Sequence, residues 1–251
     1  MNESDQPPHW ASQFPPNIPP TPPQLGDDPA ERVAITGVVS AIESLLRQPR
    51  RVMFQLREPG AGEVIAALVF IAVLCSLIYG VIVGSFSGGD QWWAAPVKVC
   101  AGLLISAVIC LPSLYIFASL SGSQARLTEI AGLVAGLLAL MTVLLIGFAP
   151  VAWLFSQSTD STVWMGFLHL LFCFIATWFG LRFLDAGFAE SKAKTNAGFN
   201  TWVIIFLLVL IQMTTALRPL LGPAATTFLP TEKKFFLTQW SDSVRKSDFF
   251  K

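Results

Sequence analysis

Charge is what this sequence has least of. Lysine, arginine, aspartate and glutamate together make up 13% of its residues, against about 25% in a soluble domain. That is too little charge to wet the surface of a 251-residue globule, so a water-soluble fold is excluded. Acids and bases balance at 16 each. The net charge is therefore zero, and no nucleic-acid partner is expected. Histidine is almost missing: His9 and His169 are the only two. His9 lies in a polar N-terminal stretch, so the pair cannot ligate an intramembrane haem. There is no HExxH, and Asp90 and Asp160 fall in loops. Metal-assisted or nucleophilic chemistry inside the bilayer therefore has no residues to run on. Neither an enzyme nor a cofactor is expected. The four cysteines (Cys75, Cys100, Cys110, Cys173) form no CxxC pair and sit in or beside apolar runs. They read as reduced thiols packed like small apolar side chains, not as a disulfide framework or metal site.

What the chain has in abundance is apolar residues, 53% of the total, and they come in runs. About 20 apolar residues as helix cross the roughly 30 Å hydrocarbon core of a bilayer. Five stretches qualify: Val64–Phe86, Val99–Leu120, Ile130–Phe155, Thr162–Leu181 and the shorter Thr201–Leu217. Each must be helical, because unpaired backbone groups are too costly in hydrocarbon. The expected fold is therefore all-α: a polytopic membrane protein with five transmembrane helices over 61–222, flanked by interfacial amphipathic helices. The first apolar run follows a long polar segment, which is not the pattern of a cleaved signal. It is expected to stay as an anchor.

The flanks differ in character. Residues 1–30 hold nine prolines, which rules out helix and sheet and implies a disordered tail with polyproline II character. Pro16–Pro19 matches the PxxP pattern of segments that dock in aromatic grooves, so a soluble partner of this tail is one expectation. Residues 31–60 contain Val39, Ile42, Leu45 and Leu46 at helical spacing, then Arg47, Arg50, Arg51 and Arg57. This reads as one juxtamembrane helix lying on the bilayer, its arginines meeting anionic headgroups. Residues 223–251 place Phe235, Phe236, Trp240 and Val244 at helical spacing, a second interfacial segment. Trp92 and Trp93 suit an aromatic belt. Eight basic residues fall on the N-terminal side of the membrane (Arg47, Arg50, Arg51, Arg57, Arg126, Arg182, Lys192, Lys194) and four on the other (Lys98, Arg218, Lys233, Lys234). The positive-inside rule then puts the N-terminus in the cytoplasm and, with five spans, the C-terminus outside.

Few positions carry functional weight. Gly80 and Gly84, and Gly132 and Gly136, are small-xxx-small pairs that let helices approach closely. They serve packing within the bundle, self-association, or contact with other membrane subunits. Pro112 and Pro150 each free a backbone carbonyl and kink a helix. His169, Gln212 and Arg218 are the candidate intramembrane polar site, as hydrogen-bonding contacts between helices or as the lining of a transport cavity. Arg182 and Asp185 are spaced to pair on one helix face.

Three stretches together, Leu111–Ser123 (LPSLYIFASLSGS), Gln212–Gly222 (QMTTALRPLLG) and Lys233–Trp240 (KKFFLTQW), resemble uncharacterised bacterial membrane proteins of the Yip1-like, five-span type. The resemblance implies five spans and a cytoplasmic N-terminus over roughly Arg57 to Trp240. Its recurrent marks fall on Pro112, Ser113, Leu114 and Tyr115, and on Leu217, Arg218 and Pro219. Eukaryotic Yip1-type proteins work in vesicle traffic with small-GTPase partners, and the bacterial ones have no agreed activity. The function expected is non-enzymatic: a scaffold or accessory subunit in the bacterial inner membrane. The alternative is a channel or transporter subunit with a cavity near His169, Gln212 and Arg218.

Overall fold

The computed structural model describes residues 24–216 apart from 88, 90, 160 and 191–196. The described chain is all-helical. A 3-10 turn at Pro29–Arg32 precedes α1 (Gly37–Arg47), α2 (Pro49–Gln55), α3 (Ala61–Ser87), α4 (Gln91–Leu120), α5 (Leu127–Ser158), α6 (Thr162–Glu190) and α7 (Ala197–Ala216). Four helices, α3 to α6, are long and apolar enough to cross a membrane. At about 1.5 Å per residue they span roughly 40–48 Å, more than the hydrocarbon core, so their ends reach the headgroup layer on both sides. They also expose large apolar side chains: Phe70, Leu74 and Ile78 on α3, Val108 and Ile116 on α4, Phe174 and Trp178 on α6. Helices that are apolar on their outward faces as well are solvated by lipid. The apolar stretch of α7 is shorter, Gly198–Thr214.

The centre of the bundle is α5, buried at Ile130 and from Gly132 to Thr142 without interruption. α3 and α6 pack on α5, α4 packs on α3, and α7 packs on α4. The seams are made by glycines. A methyl group on Gly80 would overlap Pro96 Cα of α4, and one on Gly136 would come within 2.5 Å of the Phe183 ring of α6. Gly132 admits Leu56 and Ile65. Gly180 and Gly187 of α6 complete the α5–α6 seam against Leu137 and Leu133. α7 meets α6 through Phe199, whose ring lies 5.4 Å from that of Phe188, while Trp202 stacks on Phe206 within α7 itself at 5.1 Å. Both Trp202 and Phe206 are fully buried.

α4 and α5 run unbroken through Pro112 and Pro150. Near the first, Cys110 O accepts from both Ser113 Oγ (2.8 Å) and the Trp202 indole N–H (2.9 Å). The Pro-Ser patch is therefore where α7 is held to α4.

The juxtamembrane region departs from the single helix expected over 31–60. α1 stops at Arg47 and α2 starts at Pro49, with Gln48 at φ −135°, ψ 61°. A residue before proline is disfavoured in the α region, so the chain breaks there. Residues 24–30, which the proline-rich composition assigns to a disordered tail, are also held in place. Asp28 caps the 3-10 turn by accepting from Ala30 N–H (2.9 Å). Gly26, at φ +95°, lies against the Phe54 ring of α2, where a side chain would collide with it. Residues 1–23, with the Pro16–Pro19 motif, and residues 217–251, with Arg218 and the C-terminal interfacial segment, lie outside the described residues.

Candidate functional site

Two polar constellations stand out against the apolar bundle. The first is an ionic cap over the end at which α3 begins. Glu31, with its side chain 10% exposed, is bonded at 2.5 Å to Arg50 Nε of α2 and accepts the Gly26 N–H. Arg50 Nη1 reaches Glu190 Oε1 at the end of α6 (2.6 Å). One guanidinium thus holds the N-terminal segment to α2 and α6 at once, using the planar fork that lysine lacks. The bonded Glu31 carboxylate raises Arg50 above its ordinary value, partial burial opposes this, and Glu190 adds to the rise. Arg51 donates to the carbonyls of Val33 (2.8 Å) and Ala34 (2.9 Å). Gln55 donates to Val33 O and accepts from Ile35 N–H. Arg57 pairs with Glu129 at the start of α5 (2.7 Å). Beside that pair opens a cleft of about 330 Å³, whose walls carry Arg57, Arg126, Glu58, Glu129 and Glu190.

These bonds change the role of the arginines. The sequence reading gave Arg47, Arg50, Arg51 and Arg57 to anionic headgroups. In the structure Arg50, Arg51 and Arg57 are committed to protein partners, and Arg47 pairs at 3.6 Å with Glu43 on the exposed side of α1. The acceptors Glu31, Glu129 and Glu190 carry no sequence signal, since each partner is 19 to 140 residues away.

The second constellation lies inside the bundle near its other end. His169 Nδ1 of α6 is 2.7 Å from the Tyr79 hydroxyl of α3, with the rings edge to face. This pair joins two helices that otherwise meet through α5. His169 Nε2 and Gln212 Oε1 are buried without a partner among the described residues. The three predicted polar residues are not brought together by any described contact. His169 belongs to the α3–α6 contact, Gln212 to α7, which packs on α4, and Arg218 lies outside the described residues. Sequence reasoning missed Lys98, which it assigned to the flank of the second run. α4 starts seven residues before it, and Lys98 is 2% exposed. Tyr79 was missed too, because a tyrosine in an apolar run carries no mark of its partner.

The remaining expectations can be placed. Gly80, Gly132 and Gly136 are filled by side chains or backbone of the same chain. Arg182 and Asp185 are both exposed, and the ion pairs among the described residues do not join them. The four cysteines are free. Trp92 and Trp93 are exposed at the start of α4, and Trp153 and Trp164 at the same end of the bundle, the arrangement of an interfacial belt. Among the described residues no group of three histidine, cysteine or acidic side chains is placed to hold a metal ion. No family model, curated protein or solved structure matches the chain.

Proposed function

We propose that the protein is a non-enzymatic scaffold or accessory subunit of a membrane complex, set in the bacterial cytoplasmic membrane with its N-terminus inside. α7 is the fifth span in this reading and puts the C-terminus outside. The observation that carries it is the ionic cap. Residues 24–36 are fixed to α2 and α6 by Arg50, Arg51 and Gln55, so the proline-rich segment is joined to the bundle at a defined point. A tether without a role needs no such attachment, whereas presentation of a recruiting segment does. The resemblance to Yip1-like membrane proteins agrees with this class, and other membrane subunits or self-association are the partners it implies. Crosslinking with mass spectrometry in native membranes tests it. The expected result is a reproducible set of partners that shrinks when residues 1–23 are deleted. A protein that runs as an isolated monomer and captures nothing refutes it.

A second reading, a channel or transporter subunit, draws on two of the three buried partnerless atoms among the described residues, His169 Nε2 and Gln212 Oε1, the third being Ser44 Oγ of α1. Buried polar atoms of this kind mark places where water or a solute is accommodated. Reconstituted vesicles decide it: a proton or solute flux abolished by His169→Phe supports it, and tight vesicles with the wild-type protein exclude it.

A further inference from the structure

α1 carries two apolar edges, and the bundle uses only one. Ala41 and Leu45 are buried against α3 and α5. Val39 and Leu46, seven residues and so two turns apart on one line of the helix, are 79% and 49% exposed. Ile42, between the two edges, is half-buried. The third side carries the solvent-facing Glu43–Arg47 pair. Just before the helix, Val33 is exposed as well.

The position of α1 says what meets the open edge. The cap packs on the first turns of the long helices: Leu56 and Ile65 meet Gly132, the sixth residue of α5. With 32 residues, α5 overhangs the hydrocarbon core by about 9 Å at each end if centred. The ion pairs Arg57–Glu129 and Arg50–Glu190 lie at that same end, and charges of this kind mark the headgroup layer rather than the hydrocarbon. An apolar edge at that depth faces the zone where interfacial helices insert.

We propose that α1 is an interfacial anchor, with its Val39–Leu46 edge sunk into the boundary between headgroups and acyl chains. The assignment rests on the reading that α3 to α6 cross a bilayer. The driving force is apolar area, not charge. Arg50, Arg51 and Arg57 are bound within the protein and Arg47 faces Glu43, which leaves α1 without the free basic stripe that selects anionic lipid. The anchor ties the cap to the bilayer as well as to the bundle, so lipid itself sets the orientation of the N-terminal segment.

The test uses the full chain in phosphatidylcholine nanodiscs, with single substitutions V39C, L46C, E43C and I78C and a water-soluble maleimide. Unsubstituted protein gives the background of the native cysteines. Thiolate formation needs water, so V39C and L46C are expected to react at least about tenfold more slowly than E43C. The ratio should hold when phosphatidylglycerol is added. Ile78 is exposed on the flank of α3, so shielding of I78C reports on the membrane reading by itself. If V39C reacts as fast as E43C while I78C stays shielded, the anchor is refuted and the spans stand. If I78C also reacts fast, the spans fall first. Shielding of V39C in native membranes but not in nanodiscs shows a protein on this edge and overturns the lipid assignment. Shielding that appears only with anionic lipid overturns the apolar one.

Discussion

Gly80→Ala is the sharpest single test of how the bundle is held together. In a free helix this change is favourable by about 1 kcal/mol, since alanine is the better helix former. In this protein the added methyl would overlap Pro96 Cα, 3.0 Å from Pro96 N and 3.3 Å from the Ala95 carbonyl carbon. Non-bonded carbons rest at about 3.5–4.0 Å, and the obstructing atoms are backbone and cannot rotate away. α3 and α4 must therefore part locally, and overpacking of this kind costs about 1–3 kcal/mol. The propensity gain does not offset it, because transmembrane segments stay helical when their packing is lost. A net loss of about 1–3 kcal/mol is expected. Gly147→Ala is the control, since nothing lies within 4 Å of its added methyl; it should be neutral or slightly stabilising. The assay is unfolding in mixed micelles with increasing SDS, followed by tryptophan fluorescence, with oligomeric mass measured in parallel. If Gly80→Ala matches Gly147→Ala in stability, the close α3–α4 contact is not as described. If stability holds and oligomeric mass falls, Gly80 belongs to a contact between chains.

The other constellations give further tests. Tyr79→Phe leaves His169 without its partner on α3 and should cost about 1–3 kcal/mol, and Tyr79→Phe with His169→Phe should recover part of it. Strict additivity in that double-mutant cycle would show that the pair is not coupled. Trp202→Phe keeps the stack on Phe206 but deletes the bond to Cys110 O, which still accepts from Ser113. About 0.5–1.5 kcal/mol should be lost, and hydrogen exchange in α7 should rise more than in α5. Arg50→Gln should raise exchange and protease cleavage over residues 24–36 while the spans stay protected, a local loss of about 1 kcal/mol because Arg50 is partly solvent-screened. The pH dependence follows from the sign of the Arg50 shift. A cation raised above its already strongly basic ordinary value contributes in full below that value and loses its contribution only at still higher pH. Between pH 6 and 10, roughly, Arg50 itself is therefore expected to give cap protection no pH dependence, and protection that falls with rising pH in that range would contradict the assignment.

The runs of apolar residues announced the helices because hydrocarbon leaves the backbone no other choice, and charge scarcity alone separated this chain from a soluble globule. Four of the five expected runs lie within α3 to α6, and α7 covers most of the fifth without the apolar length of the others. Pro49 also carried its own break, which the arginine pattern around it obscured. Ranges set by hydropathy were too short at the ends, so Lys98 passed for a flank although α4 begins before it. What composition and spacing cannot carry is partner choice. His169 was visible as a rare polar group, but Tyr79 was one of many residues in an apolar run until α3 and α6 were placed around α5. Gly180 and Gly187, seven residues apart, have no second glycine four residues away and became seam glycines only when Leu137 and Leu133 were seen opposite. The juxtamembrane arginines looked free for lipid because Glu31, Glu129 and Glu190 are far from them in sequence, and only folding brings them within 3 Å. The sequence by itself determined that the chain is helical and where its apolar segments lie, since those follow from local burial and backbone satisfaction. Which helix occupies the centre, which charges are already neutralised and which edge of α1 stays open were decided by the tertiary structure, because each depends on contacts between residues distant in the chain.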